Sequence, residues 1–172
     1  MNSNFNNECK ILNSKDEIAS LLRDMADIPF LSILKDNKFI ELYSEKLHKN
    51  AYVIADYVNG QPMAFIAFYA NDTISHKAFA PIAGIKNRDN LSKISSILRI
   101  AYCAYEIFLS KNVEFVQLEV ADENIHAIDL YYQIGFQPIG QRGITGEIME
   151  ISMDKIKIYA EKARRLYENI SN

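Results

Sequence analysis

Cysteine is scarce in this chain of 172 residues: there are two, Cys9 and Cys103. They supply neither the close spacing of a metal knuckle nor the dense framework of a disulfide-stapled domain. Cys103 falls in an apolar helical stretch and reads as a buried free thiol. Positive charge is not in excess either. Lys and Arg total 19 against 22 Asp and Glu, a formal charge of −3, whereas a nucleic-acid binder needs a basic footprint. No apolar run approaches the length of a membrane span. The opening residues, MNSNFNNECK, lack the charged segment and apolar core of a secretory signal. These absences predict a soluble cytoplasmic protein with no membrane or nucleic-acid partner. His48, His76 and His126 are scattered and form no metal-like cluster.

What is present is a globular inventory. Apolar residues make up 49% and charged residues 24%, enough for a sizeable core in one domain over 1–172. Cys9–Leu12 reads as a short strand. Ser14-Lys15-Asp16-Glu17 has the form of a capping box, and Ile18, Leu21, Leu22 and Met25 follow at helical spacing. A second helix is predicted over Asn37–Lys49. Ala51–Tyr57 and Met63–Ala70 are β-rich runs flanking Asn59-Gly60, a strong hairpin turn. Lys77–Ile85 is a further strand, and its Pro81 removes a ladder donor. Pro81 therefore predicts an edge, a bulge or a place where pairing stops.

The long helix is Leu91–Ser110. Leu91, Ile94, Leu98, Ala101, Tyr105 and Phe108 form its apolar stripe, with Ser92, Ser95, Ser96, Arg99 and Glu106 on the polar side. Val113–Val120 is a strand with Val116, Leu118 and Val120 on one face and Phe115, Gln117 and Glu119 on the other. Asn124–Ile134 is a helix that Gly135 is placed to end. Gln137–Gly140 and Glu147–Met153 are two last strands. Asp154–Ile170 is a final helix with Ile156, Tyr159, Ala160, Ala163, Tyr167 and Ile170 on one side.

One constellation exceeds what packing asks for. Alone, Tyr131 reads as a core tyrosine, Asn124 as a helix cap and Glu119 as a solvent-facing strand residue. Together, Asn124-x-x-Ala127-x-x-Leu130-Tyr131-x-x-x-Gly135-Phe136 reproduces the Asn-x-x-Ala-x-x-Leu-Tyr-x-x-x-Gly-Phe signature of the GCN5-related N-acetyltransferase (GNAT) superfamily. A strand ending Leu118-Glu119-Val120 precedes it, as in that family, and Phe65–Tyr69 is similar to the family's third strand. From about residue 9 to residue 153 the chain resembles that family. The resemblance implies an α/β fold of three layers, α/β/α, with a mixed, mostly antiparallel sheet and an extra C-terminal helix over 154–170. The fourth and fifth strands should splay to admit a cofactor.

The resemblance also implies a reaction: acetyl transfer from acetyl-CoA to a primary amine of a small molecule, amino sugar or peptide, without a metal. The oxyanion needs a donor and the leaving thiolate benefits from a proton. The implied donor is a backbone N–H among Ile82, Ala83, Gly84 and Ile85. Tyr131 is the implied general acid toward the coenzyme A sulfur, and Asn124 a ligand of the pantetheine or of the site's backbone. Glu119 is the general base in some relatives; in others a water chain takes that role. Tyr69 and His76 are substrate-side candidates, although His76 also reads as an exposed loop histidine.

The sequence departs from the family at one point. The family's Arg/Gln-x-x-Gly-x-Gly/Ala loop cradles the coenzyme A pyrophosphate on backbone N–H groups at a helix start. Here no glycine occurs between Gly84 and Gly135. With Arg88 as the leading residue, Leu91 and Lys93 replace the glycines. A shifted register brings Ser92, Ser95 or Ser96 to the phosphates, with Lys86, Arg88 or Lys93. Two readings follow: an acetyltransferase with a modified loop, or a GNAT-fold protein that has lost coenzyme A and binds another ligand or partner. The apolar side of 154–170 either packs on its own domain or forms a homodimer surface.

Overall fold

The computed structural model describes residues 7–86 and 89–170, so Arg88 lies outside the described residues. The elements are β1 (Asn7–Leu12), α1 (Lys15–Asp24), a 3-10 turn (Ser32–Lys35), α2 (Asn37–Asn50), β2 (Tyr52–Val58), β3 (Gln61–Tyr69) and β4 (Lys77–Ile85). They continue as α3 (Asn90–Ser110), β5 (Phe115–Ala121), α4 (Ile125–Ile134), β6 (Gln137–Arg142), β7 (Gly146–Ser152) and α5 (Met153–Ile170).

Local chemistry sets several boundaries. Glu17 N donates to Ser14 Oγ at 3.2 Å and Ser14 N to Glu17 Oε2 at 3.1 Å, the reciprocal pair that starts α1. Asn59 and Gly60 both take positive φ, 52° and 78°, as a two-residue hairpin requires. Gly135 ends α4 at φ 100°, a conformation that costs glycine little.

The seven strands form one sheet in the order β1-β2-β3-β4-β5-β7-β6. Only β4 and β5 are parallel neighbours; the other pairs are antiparallel. Helices cover both faces, giving the expected three layers. Ile18, Leu22 and Leu47 of α1 and α2 pack on Val53, Ala55, Phe65 and Ala67. On the opposite face Ala104 and Phe108 of α3 and Ile156 of α5 pack on Ile54, Phe68, Val116 and Leu118, and Ala127, Ile128 and Tyr131 of α4 border that core.

β4 changes faces along its length. Ala78 and Ala80 belong to the α3-side core, whereas Ile82 belongs to the α1–α2 side. Between Tyr69↔Phe79 and Ala67↔Ile82 the register slips: β4 advances three residues while β3 advances two. The extra residue is a bulge at Ala80–Pro81, one of the places a proline is tolerated.

The stripe predicted for α3 needs correction. Leu98 and Phe108 are buried, but Leu91 is 78% exposed and Ile94 49%, while Ser96 and Arg99 are buried. The cause lies on β2, where fully buried Asp56 forms an ion pair with Arg99 and turns that side of the helix inward. The first part of the α5 stripe, Ile156, Ala160 and Ala163, is buried, and α5 lies against α3.

Candidate active site

β4 and β5 pair only from Lys77↔Phe115 to Ala80↔Leu118. The next residue on β4 is Pro81, which has no N–H to offer. Beyond it, β4 stays with β3 through Ile85 and β5 stays with β7 through Ala121. Each strand keeps its outer partner and loses the inner one, so a wedge opens between them.

The lining of the wedge follows from strand alternation. Lys86 N donates to Met63 O at 2.9 Å. In an antiparallel ladder alternate residues bond to the same neighbour, so Ile82 and Gly84 direct their N–H groups toward β3. Ala83 and Ile85 direct theirs into the wedge. Gly84 has a packing reason to be glycine: a Cβ would sit 2.8 Å from Phe65 Cε1 and 2.9 Å from Ile28 Cδ1. Of the four residues Ile82–Ile85, two have donors facing the opening and two are committed to β3 and the core.

Tyr131, on α4, packs against the core cluster that includes Val116, Leu118 and Val120 of β5. Its ring lies 5.5 Å from that of Phe136, and Phe136 N donates to Tyr131 O at 2.9 Å. Burial alone pushes its phenol up to about 12, so the proton stays on throughout the neutral range. Asn124 caps α4, its Oδ1 accepting from Ala127 N at 3.3 Å.

Glu119 lies one residue past the last β4–β5 pair. Its Oε1 accepts from Thr145 N, from Thr145 Oγ1 at 2.8 Å and from Gly146 N at 3.0 Å. These donors, led by Thr145 N, hold its carboxyl below the usual carboxylate range. The turn has no side chain in the way: a Cβ on Gly143 would run into the Glu119 carboxyl, and one on Gly146 into Val120 O. Glu119 is thus tied to the β6–β7 turn.

The start of α3 already has a carboxylate. Asp89 Oδ1 accepts from Ser92 N at 3.0 Å, and Ser92 Oγ donates to Asp89 Oδ2 at 2.6 Å. Ser96 is buried, its Oγ accepting from Arg99 Nη2 at 3.3 Å. Ser95 is exposed and Lys93 half-buried, and Lys93 N donates to Asp89 O at 3.1 Å.

The substrate-side candidates separate. Tyr69 pairs with Phe79 at the apex of the wedge, and its buried hydroxyl has no hydrogen-bond partner among the described residues. His76 sits at the opposite, closed end. Its Nδ1 lies 3.1 Å from Asn112 O, and its carbonyl accepts from Glu114 N at 2.7 Å, tying two turns together.

The sheet also assembles a group that nothing local in the sequence joins. Gln117 pairs with Glu150; Gln117 Nε2 and Lys77 Nζ donate to Glu150 Oε2 at 2.7 and 2.8 Å. The Glu150 side chain is only 16% exposed. The register aligns Tyr69, Phe79, Gln117 and Glu150 in one row across four strands. Alternating side chains make that row a continuous surface on the wedge's α1–α2 side. No group of three or more His, Cys, Asp or Glu placed to hold a metal occurs among the described residues. No helix among them is long and apolar enough to cross a membrane.

Solved structures share this architecture. The PaiA N-acetyltransferase of Thermoplasma acidophilum, in complex with coenzyme A, matches with a TM-score of 0.60 at 19% identity over 84% of this chain and 99% of that one. Aminoglycoside 6'-acetyltransferase type Ii matches at 0.66 and 11% identity over 85% and 97%. AAC(6')-Ib, in complex with paromomycin and acetyl-CoA, matches at 0.63 and 14% identity over 88% and 96%. No protein-family model matches the chain, and no curated protein matches it by sequence. The chain has the fold of the GCN5-related N-acetyltransferases.

Proposed function

We propose that the protein transfers an acetyl group from acetyl-CoA to a primary amine of a small molecule. The observation that carries this reading is the wedge after Ala80 and Leu118, with the Ala83 and Ile85 N–H groups turned into it. Such a slot accepts an extended pantetheine arm, and an N–H fixed in the sheet stabilises a developing oxyanion without reorganisation. One of these two N–H groups polarises the thioester carbonyl. The neutral amine attacks the carbonyl carbon, the C–S bond breaks and Tyr131 gives its proton to the sulfur. A phenol of raised pKa remains available as an acid at neutral pH. The amine enters from the α1–α2 side, over Tyr69, Gln117 and Glu150. A small-molecule acceptor is favoured over a peptide because two of the fold neighbours are aminoglycoside acetyltransferases.

Glu119 orders the β6–β7 turn beside the wedge in this reading, and a water takes the amine proton. A carboxylate satisfied by several donors is a poor base. The coenzyme A diphosphate rests at the start of α3 on backbone N–H groups, Lys93 and Ser95. We place the protein in the cytoplasm, where acetyl-CoA is made and used.

Asp89 favours a second reading. Its carboxylate occupies the end of α3 that would attract an anion, which supports a GNAT-fold protein with weakened coenzyme A binding and another ligand or partner. Calorimetric titration with acetyl-CoA, and with desulfo-CoA as a partial ligand, separates the two. Micromolar binding is expected for the enzyme; no heat at millimolar acetyl-CoA would overturn it.

A further inference from the structure

Cys9 and Cys103 are distant in sequence and adjacent in the fold. Cys9 is on edge strand β1, directly opposite Asp56 of β2, and directly opposed residues project from the same face of a sheet. Asp56 is gripped there by Arg99 of α3. Cys103 follows Arg99 by one helical turn, so it lies on the same side of α3. Both cysteines border the core between sheet and helix. Both are free, partly accessible thiols. We propose that this pair is an oxidative modification site, at which a peroxide closes a Cys9–Cys103 disulfide that staples edge strand β1 to α3.

The two sulfurs are unequal, which gives the reaction a direction. Each thiol acts on the other: the neighbouring Cys9 holds Cys103 below the ordinary thiol range, while Cys103, with burial, pushes Cys9 up. Cys103 is therefore the better thiolate and the first nucleophile. Its sulfur attacks one oxygen of hydrogen peroxide. The O–O bond breaks, Cys103 becomes a sulfenic acid and the released hydroxide takes a proton to leave as water. Cys9 sulfur then attacks Cys103 sulfur. The S–S bond forms, the S–O bond breaks and the second hydroxide leaves with the Cys9 proton. Two thiols lose two electrons and two protons in all, and the peroxide becomes two molecules of water. The product fixes α3, whose start faces the diphosphate in the reading above, against the sheet edge.

The test exposes the reduced full-length protein to a few equivalents of hydrogen peroxide. Intact mass, non-reducing peptide mapping and thermal melts are then recorded. The expected result is a monomer lighter by two hydrogens, with a linked Cys9–Cys103 peptide, no remaining thiol and full reversal by dithiothreitol. The melting temperature should rise by about 5–10 °C, because the bond closes a long loop of the unfolded chain. Cys9→Ser should stop at a dimedone-reactive sulfenic acid on Cys103. Cys103→Ser should react about tenfold more slowly. Oxygen added to separate cysteines without the link, a disulfide between chains, or two surviving thiols would overturn the site. Should either serine variant fail to fold by circular dichroism, the wild-type peptide map decides alone.

Discussion

Arg99 grips Asp56 with two parallel hydrogen bonds, Nε to Oδ1 at 2.5 Å and Nη2 to Oδ2 at 2.7 Å, in a site where Asp56 is fully buried. This fork fixes the rotation of α3 on the sheet and so aims the start of that helix. Such a pair adds little net stability over an apolar replacement, but removing one partner strands a buried charge. Arg99→Ala should destabilise the fold by about 3–5 kcal/mol, measured by urea unfolding. Arg99→Lys should recover only part of this, since an ammonium cannot reproduce the fork.

Tyr131→Phe keeps the ring against Phe136 and removes the hydroxyl with its proton. Turnover should fall by about 10²-fold while acetyl-CoA binds within about twofold of the original affinity. Steady-state rates with any accepted amine, beside calorimetric binding, check this split. Unchanged turnover would remove Tyr131 from the chemistry.

The same phenol gives a pH prediction. Its folded-state pKa of about 12 lies above the ordinary 10.0, so the folded state holds this proton more tightly than the unfolded chain. That contribution to stability is whole below pH 10 and disappears as pH rises through 12. Ultraviolet titration should show late-ionising tyrosine, shared by Tyr131 and Tyr43, which is also pushed up to about 12 by burial. Tyr131→Phe should remove its part of that late phase, and an unaltered late phase would contradict the assignment.

Asp89 caps α3 with a charge at the end where the proposed function places a diphosphate. An asparagine in its place would cap as well, since asparagine and aspartate are equivalent in that role. Asp89→Asn should therefore leave the melting temperature within about 2 °C and tighten acetyl-CoA binding about 2–5-fold. Weaker binding in this variant would place the diphosphate elsewhere.

Glu119 separates anchor from base. Glu119→Gln retains an acceptor for Thr145 and Gly146 but cannot take a proton. Turnover within about threefold of the original is expected if the residue only holds the turn, whereas loss of a general base costs about 10²–10⁴-fold. The lowered carboxyl also has a sign: its stabilisation is present above the ordinary value of 4.5 and lost as pH falls through the folded-state value.

Elements whose signals are local were legible in the sequence. The capping box at Ser14, the Asn59-Gly60 turn and the Gly135 stop each depend on a few adjacent residues, and their elements fall within a few residues of expectation. Pro81 announced the end of pairing because a missing donor is a property of one residue. The α3 stripe was misread because its rotation answers to Asp56, more than forty positions earlier. The Lys77–Gln117–Glu150 group and the Glu119 anchor were hidden for the same reason: each is set by register between distant strands, and one step of register would turn every side chain to the other face.

The wedge makes one claim that outranks the rest, that Ala83 and Ile85 present their N–H groups to a thioester. Amide resonances of the 15N-labelled protein should be followed during titration with acetyl-CoA, with desulfo-CoA alongside. Saturable shifts centred on Ala83 and Ile85, larger with the acetylated ligand, are predicted. No binding at millimolar acetyl-CoA, or shifts confined to residues away from β4 and β5, would contradict the acetyltransferase reading.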